Sequence, residues 1–429
     1  MPNHRKRSLR IVLAVALVLM VAAPVVTAQT ITLVHMAERV DSPATREALK
    51  AKFEEMNPDI RIEFIYTTGR PDWYEKMVTL WASDVFPDVI EVSTERAYEF
   101  ARQGLFLDLN PLMKKDPDLT WDQFNPVAVE LSTMPAGRPD AGARYSLPRT
   151  ILVNGVGLNI DMFRQAGLTP PTEMEHHWTW DDFDEMATKL TRFGADGSVE
   201  QYAVRIPNNH YRWPTWVHNA GGWIFDTYID PSESRLLTDP VRTALDFIFE
   251  ALHVKQYAHP HQNYAGIYNS KSAMETGVVP SYGTRHRDMG FSWEIDFYHN
   301  PKLVRGGSEI ATIGVAIGAR TKHEEAAWKW IKFLATSEEA IELFLNERPD
   351  APAWGPGTQL YLESDPVGAP RWIEMMTHPD AFTRPIYSLE VEQLLQQHIN
   401  DIFAGTMPVD MVLEEAHRQL SILLAELKE

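Results

Sequence analysis

Apolar positions change period several times along this chain, and each change marks an element. Thr30–His35 is a short apolar run of strand length. Ser42-Pro43 then opens a helix, with serine as N-cap and proline at its first position. Leu49, Phe53 and Met56 give that helix one apolar face, and Asn57-Pro58 ends it. Ile60, Ile62 and Phe64 alternate with Arg61 and Glu63, as in a half-buried strand. A second helix runs from about Trp73 to Ala82, and Asp88–Val92 is a buried strand. This β-α-β-α-β order begins an open, mostly parallel sheet.

Strand and helix patterns continue to the C-terminus. Tyr145–Asn159 is strand-like, with Gly155 and Gly157 marking close backbone approach or a bend. Thr179-x-x-Asp182 is a capping-box pattern, and Asp196-Gly197 is a tight turn before Gln201–Ile206. Leu245, Ile248 and Leu252 line one face of a helix over Pro240–Leu252. A strand over Ile310–Ile317 precedes helices at Glu324–Leu334 and Glu338–Leu345. Pro349–Gly357 is a loop, and helices near Val391–Phe403 and Val409–Leu427 close the chain. No floppy linker separates two halves, so the chain is expected to cross between domains more than once.

The junction at Ser93-Thr94 is the richest in possible chemistry. A strand turns there directly into a helix that ends at Gly104. Thr94 reads as the N-cap, and Glu95 and Arg96 set an acceptor beside a donor at free backbone N–H groups. Strand-to-helix junctions are where α/β domains bind ligands. A capped helix start alone explains the same residues.

Composition narrows the setting. Arg5, Lys6, Arg7 and Arg10 precede an apolar run over Ile11–Val26, and Val26-Thr27-Ala28 resembles a signal-peptidase site. A secretory leader over 1–28 is therefore expected, with cleavage near Ala28. Its loss would leave 401 of 429 residues, enough for about two domains. Losing its four basic residues takes the formal charge from −19 to −23. So acidic a chain argues against nucleic acid and anionic lipid. The chain has no cysteine, which excludes disulfides, thiolate catalysis and a lipid-anchored N-terminal cysteine. The mature protein is expected to be free in a bacterial periplasm or secreted, and monomeric.

No catalytic or cofactor motif appears: no G-x-S-x-G, P-loop, HExxH or dinucleotide fingerprint. No catalytic residue, metal or cofactor is expected. His253, His259 and His261 are the one metal-like cluster, without a suitably spaced carboxylate. The stretch 208–226 packs Tyr211, Trp213, Trp216 and Trp223 beside Asn219, Gly221 and Gly222. Aromatic faces stack on sugar rings while polar neighbours bond hydroxyls. Trp223 and Phe225 are assigned to core, Tyr211 and Trp213 to a site.

Several segments, in order and spacing, resemble the periplasmic solute-binding proteins of ABC sugar importers, the maltose-binding-protein-like family. They include Phe53–Asp59, Phe86–Ile90 through Gly104-Leu105-Phe106, Tyr145–Pro148, Leu158–Phe163, Trp178–Asp182, Asn219–Gly222, Ser270–Met274 and Glu325–Trp330. The resemblance covers essentially the whole mature chain. It implies two α/β lobes, each a mostly parallel sheet flanked by helices, joined by a hinge of crossing strands. It also implies capture of a small molecule, a carbohydrate for this family, and delivery to ABC permease subunits. A polyamine or acidic ligand is the alternative, and a secreted carbohydrate-active enzyme the rival class.

Residue by residue, the resemblance places Glu38, Arg39 and Asp41 at a polar contact after the first strand. Glu95 and Arg96 fall at an acid–base pair contacting sugar hydroxyls, beside Thr94. The stacking aromatic falls on His210, with Tyr211 and Trp213 adjacent. Tyr282 stands where many relatives carry tryptophan, and Arg285 adds a charge. Arg149 and Asn154 are expected to face the same cleft, and Trp354 to cover it. The first lobe is expected over 29–147 plus 296–345, the second over 148–295 plus 346–429.

Overall fold

The computed structural model describes residues 30–427, except 38–41, 68–69, 84, 230, 260–265, 270, 365–366 and 384–385, and omits the side chains of Arg70, Pro71, Glu95 and Asn269. The expected leader, Glu38, Arg39, Asp41 and His261 therefore lie outside the described residues.

The first elements alternate as the apolar pattern predicts: β1 (Ile31–Met36), α1 (Pro43–Met56), β2 (Ile60–Ile65), α2 (Arg70–Ala82), β3 (Val89–Ser93) and α3 (Thr94–Arg102). The Ser42 hydroxyl caps α1 by accepting from the Thr45 N–H at 3.2 Å. β2 and β3 flank β1, both parallel to it. α4 (Asn110–Lys115) and α5 (Pro126–Leu131) lead to β4 (Leu147–Val153), and after one residue β5 (Gly155–Asn159) begins. The middle of the chain holds α6 (Ile160–Gln165), α7 (Trp180–Leu190), β6 (Arg192–Phe193), β7 (Val199–Gln201), β8 (Val204–Arg205), α8 (Pro214–Asn219), α9 (Asp239–Phe249), β9 (Met274–Val278), α10 (Ser281–Asp288) and β10 (Ile295–Tyr298). Then come β11 (Glu309–Ile317), α11 (Glu324–Thr336), α12 (Glu338–Glu347) and β12 (Ala351–Pro352). α13 (Gly357–Glu363), α14 (Ala369–Thr377), β13 (Phe382–Thr383), α15 (Leu389–Ala404) and α16 (Val409–Glu426) end the chain.

Two main sheets result, one in each lobe, and β6 pairs with β7 in a small two-stranded sheet. The first runs β12-β4-β11-β3-β1-β2, with β13 also paired to β11, and the second runs β10-β5-β9-β8. Both are mixed. β1, β2 and β3 are mutually parallel in the first and β13 is parallel to β11, while β11 runs antiparallel between β3 and β4. In the second, only β8 and β9 are parallel. A strand that arrives through a crossing need not return in the same sense, which the local alternation cannot show.

The sequence reads Tyr145–Asn159 as one strand leaving the first lobe after Leu147. In the structure β4 is a full member of the first sheet, in register with β11 from Leu147↔Val315 to Val153↔Ile310. The chain changes sheets at Asn154. It returns between β10, which pairs with β5, and β11. The continuous apolar run concealed the break, because both segments are buried.

Each face of the first sheet carries its own apolar layer. Leu33, Ile62, Val89 and Val315 pack with Phe53, Trp330 and Ile331 from α1 and α11. Ile90 and Val92 pack with Trp73, Phe100 and Phe106 on the other face. The second lobe buries Val156, Leu158 and Met274 with Trp178, Phe183, Trp216 and the apolar faces of α9, α15 and α16. The capping box of α7 forms in both directions between Thr179 and Asp182.

Candidate functional site

At the end of β3 the N-cap of α3 is Ser93, not Thr94. The Thr94 hydroxyl turns inward, 2.6 Å from the Thr312 hydroxyl of β11, and accepts from the Thr312 N–H at 3.0 Å. Thr94 therefore locks α3 to the sheet and is buried. Glu95 follows it at the start of α3. Arg96, one residue on, points out of the sheet and crosses to the other lobe. Its Nη1 donates to Glu99 Oε2 at 2.7 Å, and its Nη2 donates to Glu392 Oε2 at 2.9 Å. Its guanidinium also lies 5.6 Å from the centre of the Tyr74 ring.

Glu392 belongs to α15, which packs on α16 and α9 in the second lobe. Its other oxygen lies 3.4 Å from His210 Nδ1. The His210 N–H donates to Gln396 Oε1 at 3.0 Å, one turn further along α15. Tyr211 is half-buried against the His210 ring, with the Arg212 guanidinium 5.0 Å from its own ring centre. Arg96, His210 and Tyr211 are thus brought together across the lobes.

The remaining described candidates lie elsewhere. Arg149 sits on the face of β4 turned toward α12, 3.1 Å from Glu91 and 3.9 Å from the centre of the Phe344 ring. It is a core ion pair, not a cleft arginine. Trp213 is fully buried in the second lobe's core, where its size makes it a packing residue. Asn154 lies in the crossing, donating to Glu309 Oε2 at 2.9 Å and accepting from Asn300 Nδ2 at 3.1 Å. Tyr282 stacks on Tyr268 with ring centres 4.9 Å apart, and its hydroxyl donates to Glu275 Oε1 at 3.1 Å. Arg285 is exposed, 5.3 Å from the centre of the Tyr268 ring. Trp354 is half-buried and bridges the backbone of Phe124. Phe225 is core as expected, but Trp223 is half-buried and sits edge-on to Tyr228 and Phe382.

A cavity of about 1200 Å³ opens between the lobes, beyond the turn of α3 that carries Arg96. Its first-lobe wall is Tyr98, Trp121, Phe124, Glu130, Thr133 and Ile310. Its opposite wall is Tyr228, Ile229, His378, Phe382 and Ile386, from later parts of the chain. Tyr98 is oriented by its hydroxyl, which donates to the Thr133 carbonyl at 2.7 Å. Trp121 is pinned at its edge, Nε1 donating to Asn110 Oδ1 at 3.1 Å, and Arg144 lies 4.8 Å from its ring centre. Burial holds the Tyr228 phenol up at about 12, so it remains a neutral donor and acceptor. Aromatic faces with acid, amide and hydroxyl groups at their edges suit a polyol with flat apolar faces.

None of the ten candidate residues with described side chains lines this cavity. Trp121 stands beside Asp122 and Asn125, the same aromatic-and-polar signal that singled out 208–226, and that signal could have found it. Glu392 carried no signal beyond its place on a helix. Its role depends on which lobe α15 packs against. Among the described residues no group of three histidine or acidic side chains is arranged to hold a metal. His253 Nε2 instead lies 3.1 Å from the Ile402 carbonyl, and the His259 ring packs edge-on to Tyr202.

Two sheet-bearing lobes, a chain that crosses between them more than once and a cavity between them define a two-lobed binding protein. Residues 37–341 match the profile of the bacterial extracellular solute-binding proteins, and the chain belongs to that family. Its fold is similar to an ABC substrate-binding protein of Listeria monocytogenes solved in complex with cycloalternan, with TM-score 0.79 and 18% identity over 92% of this chain and 99% of that one. It is also similar to the sugar-binding protein MalE of Xanthomonas citri, with TM-score 0.77 and 17% identity over 92% and 98%. UgpB of Mycobacterium tuberculosis, in complex with glycerophosphocholine, matches with TM-score 0.77 and 16% identity over 93% and 99%. In sequence, an uncharacterized lipoprotein from the oleD 5′ region of Streptomyces antibioticus is 27% identical over 198 residues. That match spans 44% of this chain and 41% of the lipoprotein's own length.

Proposed function

We propose that this protein is the substrate-binding component of an ABC importer, capturing a carbohydrate between its lobes and presenting it to the permease. The observation that carries this reading is the interlobe cavity, large enough for an oligosaccharide and walled by aromatic side chains on both sides. Similar folds bind cycloalternan in one case and glycerophosphocholine in another, so the fold alone leaves the ligand open. The aromatic walls favour the sugar. Arg96, His210 and Tyr211 form the rim where the lobes meet, and Glu95 opens the helix that supplies Arg96. The lobes close about the crossings at Asn154 and at 299–308. The protein binds without chemical conversion, and works as an exported, monomeric chain with no lipid on a cysteine.

A thermal-shift series with maltotriose, longer neutral oligosaccharides, uronic acids and spermidine tests the reading. A neutral oligosaccharide is expected to raise the melting temperature. Trp121→Ala is expected to weaken that ligand about tenfold, ~1.4 kcal/mol, with little effect on the ligand-free melt. No shift with any carbohydrate would sink the assignment, and cleavage products in the same mixtures would make the protein an enzyme.

A further inference from the structure

Arg96 and His210 approach one another from different lobes, and a carboxylate already sits between them. Glu392 divides its two oxygens, one 2.9 Å from Arg96 Nη2 and the other 3.4 Å from His210 Nδ1. Arg96 and His210 are each only 9% exposed. A buried guanidinium left without a carboxylate is costly, but Arg96 has a second one on its own helix. Glu99 holds Nη1 at 2.7 Å and is itself fixed by the Tyr74 hydroxyl, which donates to it at 2.8 Å. Glu392 is therefore the acid that could leave without stripping Arg96. It reaches the pair from the first turn of α15, and its side chain keeps 23% exposure.

We propose that Glu392 is an internal counter-ion occupying a carboxylate-binding site made by Arg96 and His210. The seam beside the cavity is then anion-competent by construction, and Glu392, which like Arg96 and His210 lies outside the cavity lining, sets a preference for uncharged solutes by filling that site. An acidic sugar must displace Glu392 and meets its repulsion. A neutral one leaves the pair intact and binds alongside. This rests on the reading of the interlobe cleft as the ligand site.

The test is calorimetric titration of trigalacturonate into the wild-type protein, Glu392→Ala, its near-isosteric counterpart Glu392→Gln, and the double variant Arg96→Gln/Glu392→Ala. Both single variants are expected to bind trigalacturonate at least tenfold more tightly than wild type, and the double variant to lose that gain. Equal or weaker binding in folded single variants overturns the proposal. So does a gain that survives loss of Arg96. The glutamine variant keeps the test open if the alanine variant does not fold. Failure of the neutral-sugar reading is separate: a wild type that no neutral oligosaccharide stabilises, with single variants that gain trigalacturonate, would uphold the counter-ion and remove the neutral sugar as ligand.

Discussion

Arg149 shows how one residue can be misread when its strand is assigned to the wrong sheet. Its guanidinium meets Glu91 in the core, each side chain 3% exposed. Removing one partner of such a pair leaves an uncompensated buried charge. Arg149→Met is therefore expected to cost about 3–5 kcal/mol of folding stability in urea unfolding, with carbohydrate affinity unchanged in the fraction that folds. A loss of affinity without loss of stability would return Arg149 to the cleft. In the sequence, an arginine after Leu147-Pro148 is indistinguishable from a ligand contact. Only the pairing of β4 with β11 decides its face. Trp213 and Trp121 make the same point in opposite directions. Both are tryptophans among polar neighbours, yet one is sealed in a core and the other lines a cavity.

Among elements, the stretch from α14 to β13 brings a cluster of imidazoles together with a short strand of the first sheet. His177 precedes α7, His299 follows β10 and His378 follows α14, and their ring centres lie 4.9–5.9 Å apart. Glu374 faces His299 at 3.3 Å, while Lys302 and Arg371 lie close by. Burial lowers the His177 and His299 pKa values. Beside them His218 stacks on Phe382, with ring centres 3.9 Å apart, and its Nε2–H donates to the Asp380 carbonyl at 3.1 Å. Burial, then Arg305, pushes His218 down to about 4. The imidazoles of His177, His218 and His299 are neutral in the fold and ordinary in the unfolded chain. Below about pH 6.5 the unfolded state binds more protons, so stability falls as pH drops toward about 4 and then levels. His218 alone accounts for up to about 3 kcal/mol of that loss. Melting curves from pH 7 to 4 are expected to show the decline, and His218→Gln to flatten it. An unchanged slope in that variant would exonerate His218. The regular elements were legible from periodicity, because β1 to α3 obey local rules. The Asn154 break and the cavity wall of His378, Phe382 and Ile386 were not, because both depend on crossings distant in sequence.

At the scale of the molecule, two lobes and the solute-binding family follow from pattern, spacing and fold together. The places where the chain changes lobe, expected after Leu147, after Ile295 and after Leu345, were harder to read than the existence of two halves. β4 and β10 each lie in the sheet opposite to the one those boundaries assume. The lipoprotein relative carries its class in its name, whereas this chain has no cysteine to acylate. Intact-mass measurement of the exported protein is expected to give an unmodified N-terminus at Gln29. A mass larger by a diacylglycerol, or a retained leader, would contradict that.

One small strand bears on how such a molecule can open. β13 belongs by sequence to the C-terminal part of the chain, yet Phe382 and Thr383 pair with Glu309 and Ile310 in the first sheet. Gly307 permits this approach, since a Cβ there would lie 1.7 Å from the Asp380 carbonyl. Phe382 is at the same time part of the cavity's far wall. That wall is therefore bolted to the frame and not to the door. Tyr228 is tied to the same strip, since its carbonyl accepts from the Ile386 N–H and Ile229 bridges Ile386. If these pairings persist during opening, Tyr228 and Phe382 stay behind with the first lobe, and a solute would enter with an aromatic surface already in place to receive it.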